Sequence, residues 1–310
     1  MLKNIQIESL YDLYDYTLDL MSEKAAFHFI TGPNGYGKTT ILNIIDALYN
    51  NNTLSLADIP FKTVTLQFDD GCEVSVIQER EYTDDDAVDE HTLTDVKLKV
   101  KFLMSDNRIV EETCFHSKDD VSPKMPGLSL YFSSHPVYYI RDGRMYTPDG
   151  LPKVKEYAEV LKKMFRGEDI TDSKVFASRL EAFHNIISRS CFAHKTLETD
   201  IRYGLRFVAD NEDKTILPIE KLSSGEQHIL IQAFEMLFRA PDDSLILIDE
   251  PEMSFHMLWQ VDYLKNLREI TELRHLQCIV STHSPQIFNM NWELTSDLYE
   301  QMTGTSYVTE

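Results

Sequence analysis

Nine residues carry the first chemistry in this sequence: Gly32-Pro33-Asn34-Gly35-Tyr36-Gly37-Lys38-Thr39-Thr40. They fit G-x-x-x-x-G-K-[ST], in which glycines let the backbone curl until several N–H groups point at one phosphate. In that pattern Lys38 reaches the outer phosphates of a nucleoside triphosphate, and the Thr39 hydroxyl ligates Mg²⁺. A glycine-rich turn that binds nothing would share the spacing, so the flanking elements matter. Before the loop, Ala26-Phe27-His28-Phe29-Ile30 reads as a short buried strand. After it, Ile41, Leu42, Ile44, Ile45 and Leu48 recur at helical spacing. A helix starting there adds its positive dipole end to the phosphate position.

A second cluster lies between residues 220 and 284. Leu222-Ser223-Ser224-Gly225-Glu226-Gln227 opens a helix marked by Ile229, Leu230, Ala233, Phe234 and Leu237. Its N-cap serine and free N–H groups make an anion site, although Ser223 and Glu226 also fit a plain capping box. Leu245-Ile246-Leu247-Ile248 is an apolar strand that ends in Asp249 and Glu250. A strand buried on both faces ends in carboxylates where its carboxyl end faces a site. Asp249 is placed to hold Mg²⁺, and Glu250 to orient or deprotonate an attacking water. Ile279-Val280-Ser281-Thr282-His283-Ser284 repeats the design with a histidine. A lone histidine there is usually structural; beside the other motifs, His283 is expected to contact the γ-phosphate.

The rest of the chain must position these groups. Residues 2–10 alternate as a strand, with residues 16–20 as a hairpin partner. Tyr11 and Tyr14 lie between them and suit a turn or core better than a base-stacking role. Residues 62–68 and 73–77 flank the turn signal Asp69-Asp70-Gly71 as a hairpin. Residues 83–90 read as an acidic loop, and 96–103 as a further strand. Residues 128–140 are apolar and aromatic and predict one buried strand. It ends at Arg141 and Arg144, which either sense nucleotide, bridge lobes or are ordinary surface arginines. Helical spacing runs from 152 to 190, broken at 167–171, and residues 201–208 and 215–219 read as strands.

Composition bounds the function. The 310 residues carry a formal net charge of −21, which argues against non-specific binding to DNA or acidic membrane over most of the surface. Cys72, Cys114, Cys191 and Cys278 show no zinc or redox spacing and read as reduced thiols of a cytoplasmic protein. No signal peptide or membrane-length apolar run stands out.

The order GPNGYGKTT, LSSGEQ, LILIDEPE, STHS resembles the ABC-type ATPases, within them the non-transporter branch of SMC, RecF and OLD-type proteins and anti-phage defence ATPases. The likeness covers roughly residues 1–75 and 215–290. Pro251-Glu252-Met253-Ser254-Phe255-His256 matches the D-E-P-E-x-x-x-H form of the OLD-like branch, which places Ser254 and His256 near a dimer contact. The resemblance implies an α/β fold: a P-loop ABC-type head with an antiparallel β layer, a mainly parallel core sheet and a helical lobe. It implies one head over 1–310, with 1–145 and 200–310 as the core lobe and 150–195 as a helical insert. It also implies ATP and Mg as cofactors. Two chains would pair head to tail, as a dimer or higher oligomer. Each ATP would then lie between the phosphate loop of one chain (Gly32, Asn34, Gly35, Tyr36, Gly37, Lys38, Thr39, Thr40) and Ser223, Ser224, Gly225 and Glu226 of the other. On this reading Glu250 is the catalytic base and His283 the switch histidine.

Two features depart from the family pattern. No glutamine is placed as its lid-loop glutamine, Gln78 being a weak candidate. No nuclease motif follows His283, so the expected effector, a nuclease above all, sits on a separate chain. Nucleic acid would be met through that complex and no membrane is expected. The competing expectation is a RecF- or SMC-like repair ATPase that binds DNA directly.

Overall fold

The computed structural model describes residues 1–20, 26–84, 91–119, 122–141, 153–168, 170, 172–190, 192 and 194–305. The chain opens with β1 (Leu2–Leu10), β2 (Tyr14–Asp19) and β3 (Phe27–Thr31), then α1 (Lys38–Tyr49). Next come β4 (Thr63–Phe68), β5 (Glu73–Asp84), β6 (His91–Leu103), β7 (Ile109–His116), α2 (Pro126–Ser133) and β8 (Val137–Ile140). Two helices follow, α3 (Lys153–Phe165) and α4 (Ser173–Arg189), then β9 (Lys195–Asp200), β10 (Gly204–Ala209) and β11 (Ile216–Leu217). The last part holds α5 (Ser224–Phe234), β12 (Leu245–Asp249), α6 (Met257–Arg274), β13 (Gln277–Ser281), β14 (Thr295–Asp297) and α7 (Leu298–Thr303).

These elements form the expected α/β architecture. Five strands make a wholly parallel sheet in the order β14-β3-β13-β12-β8. Strand alternation divides the apolar interior into two cores. Leu245, Leu247, Ile279 and Ile30 face α1, which packs beneath the six-stranded antiparallel sheet β2-β1-β4-β5-β6-β7. Ile246, Ile248, Val280, Phe27 and Phe29 face the other way, onto α3 to α6. The small antiparallel sheet β11-β10-β9 joins that second core, where Leu197, Leu205 and Phe207 meet Val154, Tyr157 and Leu161 of α3. Near the strand starts, Gln277 bridges the two large sheets. Its side-chain oxygen accepts from Leu2 N at 2.9 Å and its amide donates to Leu2 O at 2.5 Å, as a paired strand would.

The fold corrects several sequence expectations. Residues 128–140 are not one strand. Pro126 opens α2, Leu128 and Phe132 bury one face of it four residues apart, and only Val137–Ile140 is extended. Pro136 lies between the two, and the run misled because apolar residues in succession do not state their own period. The strand expected at 73–77 runs on to Asp84, so residues 83 and 84 of the expected acidic loop are strand; 85–90 lie outside the described residues. Residues 201–203 form a turn that joins β9 to β10 rather than the start of a strand. Residue 219 begins a short 3₁₀ turn, and past Phe234 the fifth helix widens into a π-helical turn over Glu235–Arg239 that holds Leu237. The strand β7 passed unread because only Phe115 among its residues is buried. Cys72, Cys114 and Cys278 are free thiols, and Cys191 lies outside the described residues. Among the described residues no helix is long and apolar enough to cross a membrane.

The Gln277 bridge yields a stability prediction. Gln277→Leu orphans a buried N–H and a buried C=O at about 1–3 kcal/mol each, so urea denaturation is expected to show a loss of ~2–6 kcal/mol.

Candidate functional site

Parallel pairing brings the motif residues to one end of the core sheet. Asp249 lies opposite Ser281, and Ser281 opposite Ile30, so β12, β13 and β3 end level. The next residues on each strand are therefore Glu250, Thr282-His283 and the phosphate loop. Gly37 caps α1 with φ 85°, a left-handed conformation that glycine adopts without strain, and Gly35 repeats it at φ 87°. Tyr36 is clamped from outside the loop: its carbonyl accepts from Tyr16 at 2.9 Å and its ring stacks on Tyr14 at 5.5 Å. Tyr11 places its hydroxyl 3.0 Å from the Thr40 hydroxyl, with its ring exposed. Asn34 and Gly35 are exposed at the tip.

Five expected site residues form two short polar chains at this end of the sheet. Thr39 donates to Asp249 Oδ1 at 3.1 Å, and the same oxygen accepts from Ser281. The Lys38 amine donates to Gly32 O at 2.9 Å, Pro33 O at 3.2 Å and His283 Nδ1 at 3.3 Å. The other nitrogen of His283, Nε2, lies 2.8 Å from Glu250 Oε1. One neutral tautomer satisfies both contacts: Nδ1 accepts from lysine while Nε2–H donates to the carboxylate. Glu250 holds φ at +44°, a left-handed value that costs a non-glycine residue about 1–3 kcal/mol. Its N–H donates to Ser281 O at 3.1 Å, which helps to fix that turn.

Glu252 was not assigned a role from sequence. Its Oε1 accepts from the Thr282 hydroxyl at 2.7 Å and from His283 N at 2.8 Å, so it ties the histidine turn to the end of β12. The signal available was the second carboxylate in D-E-P-E. Gln78 lies in β5 and is spent on structure: it bonds Phe61 N, Leu56 O and Ile59 O, as an ordinary strand residue does. Arg141 bonds Asn43 and Asp46 of α1, and Arg144 lies outside the described residues.

The Ser223 turn is built separately, on the opposite core. Ser223 caps α5, and Glu226 reaches back to Ser223 N at 2.8 Å, completing a capping box. Burial alone would raise the Glu226 pKa, but Lys195 at 2.5 Å and the Ser223 hydrogen bonds outweigh it and hold the carboxyl below its usual range. Ser223 and Ser224 are exposed, whereas Gly225 is buried. A Cβ at Gly225 would lie 2.4 Å from Ser254 O and 2.6 Å from the Trp259 ring, so only glycine fits. His228 and Gln232 of the same helix bond Met253 O and Pro251 O, which docks α5 on the loop after Glu250. No hydrogen bond found among the described residues joins residues 223–226 to the phosphate loop. His256 caps α6, accepting from Leu258 N at 3.3 Å, and is exposed beside Ser254.

Among the described residues no group of three or more His, Cys, Asp or Glu side chains could enclose a metal ion. The Thr39 hydroxyl and Asp249 carboxylate instead suit Mg²⁺, which keeps waters and takes few protein ligands beside phosphate oxygens.

Burial lowers the Lys38 pKa; nearby Glu250, Asp249, Glu252 and Asp297 push it back only in part. Between that depressed value and the ordinary 10.5, the unfolded chain binds this proton more tightly than the folded one. Stability of the nucleotide-free protein then gains from Lys38 as pH rises through that window. Urea unfolding across the alkaline range is expected to show this gain in wild type and its loss in Lys38→Met.

Residues 100–289 match the family model described as AAA domain, putative AbiEii toxin, Type IV TA system. OLD nuclease of Thermus scotoductus is 24% identical over 331 residues, covering 94% of this chain and 60% of that relative. The chain thus spans about 60% of the length of the curated relative it matches. Solved structures with a similar outline include an SMC head bound to the C-winged helix domain of ScpA, at 15% identity and TM-score 0.47, covering 93% of this chain and 90% of that one. The SMC head domain from Thermotoga maritima gives 14% and 0.41, with 95% and 92% covered. TM-scores below 0.5 leave the site to be argued from this chain itself. The family model, by contrast, spans more than half of the 310 residues and overlaps the Ser223 turn, β12 and His283. In keeping with the resemblance to SMC/RecF/OLD-like ABC-type ATPases, the chain belongs to the family described as AAA domain, putative AbiEii toxin, Type IV TA system.

Proposed function

We propose that this protein is a Mg²⁺-dependent ATP-binding and ATP-hydrolysing switch that closes head to tail around ATP and controls a separate effector, a nuclease, in anti-phage defence. One observation carries the reading. Lys38, His283 and Glu250 come from three separate segments, yet hydrogen bonds of 3.3 and 2.8 Å join them in a line. Such a line serves phosphoryl transfer, where catalysis is mostly positioning and charge. Lys38 holds the outer phosphates, and Thr39 and Asp249 hold Mg²⁺, which supplies compensating positive charge when bound. Glu250 takes the proton of the attacking water. His283 stands between lysine and base and reports on both.

The exposed Ser223-Ser224 turn supports closure between two chains. The Ser223 N–H is taken by Glu226, but Ser223 and Ser224 are exposed at the start of a helix and, among the described residues, no hydrogen bond found ties them to the chain's own phosphate loop. A second chain's phosphates would give them charge-assisted partners. The apolar side chains Met253, Met257, Leu258 and Val261 are exposed beside Ser254 and His256, which fits an interface at that edge. A near-complete switch needs roughly 10⁴-fold tighter ATP binding in the closed form, about 5.5 kcal/mol. Two composite sites with several charged hydrogen bonds each are of the right size to supply it. The matched relative is named a nuclease, which favours a nuclease as the controlled effector.

Glu250→Gln with Mg-ATP is expected to accumulate a dimer or higher assembly on gel filtration; an elution volume unchanged by ATP sinks the switch. Ser223→Arg should bind ATP near normally yet fail to assemble. Ser223→Ala, which loses the cap at a cost of about 1 kcal/mol but adds no bulk, serves as its control. Assembly and hydrolysis equal to wild type in Ser223→Arg would remove that turn from the site.

A further inference from the structure

Arg141 ends the strand next to Asp249. β8 runs parallel to β12 with Ile140 opposite Ile248, so the step beyond sets Arg141 beside Asp249. Val137 and Tyr139 pack toward α1, whereas Tyr138 and Ile140 pack toward the other core. Alternation therefore puts Arg141 on the α1 face, as it does Asp249. There the guanidinium donates to Asn43 Oδ1 at 3.1 Å and to Asp46 Oδ2 at 2.8 Å, and lies 4.4 Å from the centre of the Tyr139 ring. Thr39, Asn43 and Asp46 are spaced four and three apart and share one stripe of α1. The stripe thus makes two contacts with the sheet end, Thr39 to Asp249 at 3.1 Å and Asn43 with Asp46 to Arg141.

A lone exposed ion pair would do little. This fork engages two acceptors and an aromatic face at once, which fixes geometry as a point charge does not. A cavity of about 180 Å³ is lined by Tyr139, Arg141, Asp249 and Glu250, so the arginine borders the same space as both site carboxylates. A guanidinium has donors only and cannot ligate a cation. Its effect on Mg²⁺ must pass through the helix it holds.

Resting on the ATP reading above, we propose that Arg141 is a positioning residue for the metal pair: by clamping α1 to the end of β8 it holds the Thr39 hydroxyl at Asp249. The Lys38 amine is held by Gly32 O, Pro33 O and His283 rather than by Arg141, so nucleotide contact is expected to suffer less than metal contact when the clamp is lost. The test titrates a fluorescent ATP analogue against the full chain in EDTA and then in rising Mg²⁺. Loss of a group bonded directly to a metal ligand typically costs ~10–100-fold in metal affinity; Arg141 acts one step further out, through α1, so Arg141→Ala is expected to need about 10-fold more Mg²⁺ for half-maximal tightening. Its affinity in EDTA should match wild type. Arg141→Lys, which keeps the charge without the fork, should fall between, and Asp46→Asn should shift in the same direction from the other side of the contact. The proposal is overturned if the Mg²⁺ titrations of Arg141→Ala and Asp46→Asn superimpose on wild type, or if affinity in EDTA falls as far as affinity in Mg²⁺. A wild-type chain that binds the analogue in neither condition overturns the nucleotide reading, and the clamp with it.

Discussion

The level ending of three neighbouring parallel strands is the constraint on which everything else rests. Asp249, Ser281 and Ile30 form one row across the sheet, fixed by backbone hydrogen bonds. A slip of one residue in any strand would turn its side chains to the other face and remove Asp249 from Thr39. The two cores hold the row from both sides, through alternate residues of the same strands. The site is therefore a consequence of sheet register, and the loops only finish what the register sets up.

Charge is the second organising fact. Glu250, Asp249, Glu252 and Asp297 all act on the buried Lys38, so carboxylates outnumber the lysine around it. A triphosphate brought here adds more negative charge, in a protein whose formal net charge is already −21. Phosphate binding at such a place must draw on local sources: loop N–H groups, the start of a helix, Lys38 and a divalent cation. The same imbalance opposes the approach of two copies. On the proposed reading, charge-assisted contacts that exist only with nucleotide present would offset it, and association would then be conditional on nucleotide.

The two halves of the proposed composite site are mechanically joined inside one chain. His228 and Gln232 of α5 bond carbonyls of the loop that follows Glu250, and Gly225 admits the Ser254 carbonyl at a distance no side chain would allow. These contacts connect the exposed end of α5 to the loop that follows the strained Glu250 turn. The capping box of exposed Ser223 and buried Glu226, braced by Lys195, fixes the geometry of that helix end.

Much of the site was legible in the chain itself, because the chemistry sits in short contiguous motifs. The phosphate loop needs its glycines and lysine at fixed spacing, and a buried strand ending in Asp249 and Glu250 announces a site at its carboxyl end. The helix of residues 41–48 and the paired strands around Gly71 followed from local period for the same reason. Where an apolar run stated no period, as at 128–140, or where a strand buried almost nothing, as in β7, local reading failed. The sequence by itself determined which atoms could do the chemistry, since residue type and short-range spacing are local properties. Tertiary structure alone decided which of those atoms meet: that Glu252 anchors His283, that Gln277 bridges two sheets, and that Arg141 grips α1 rather than solvent. Those contacts join residues far apart in the chain, and only strand order and register bring them within hydrogen-bond reach.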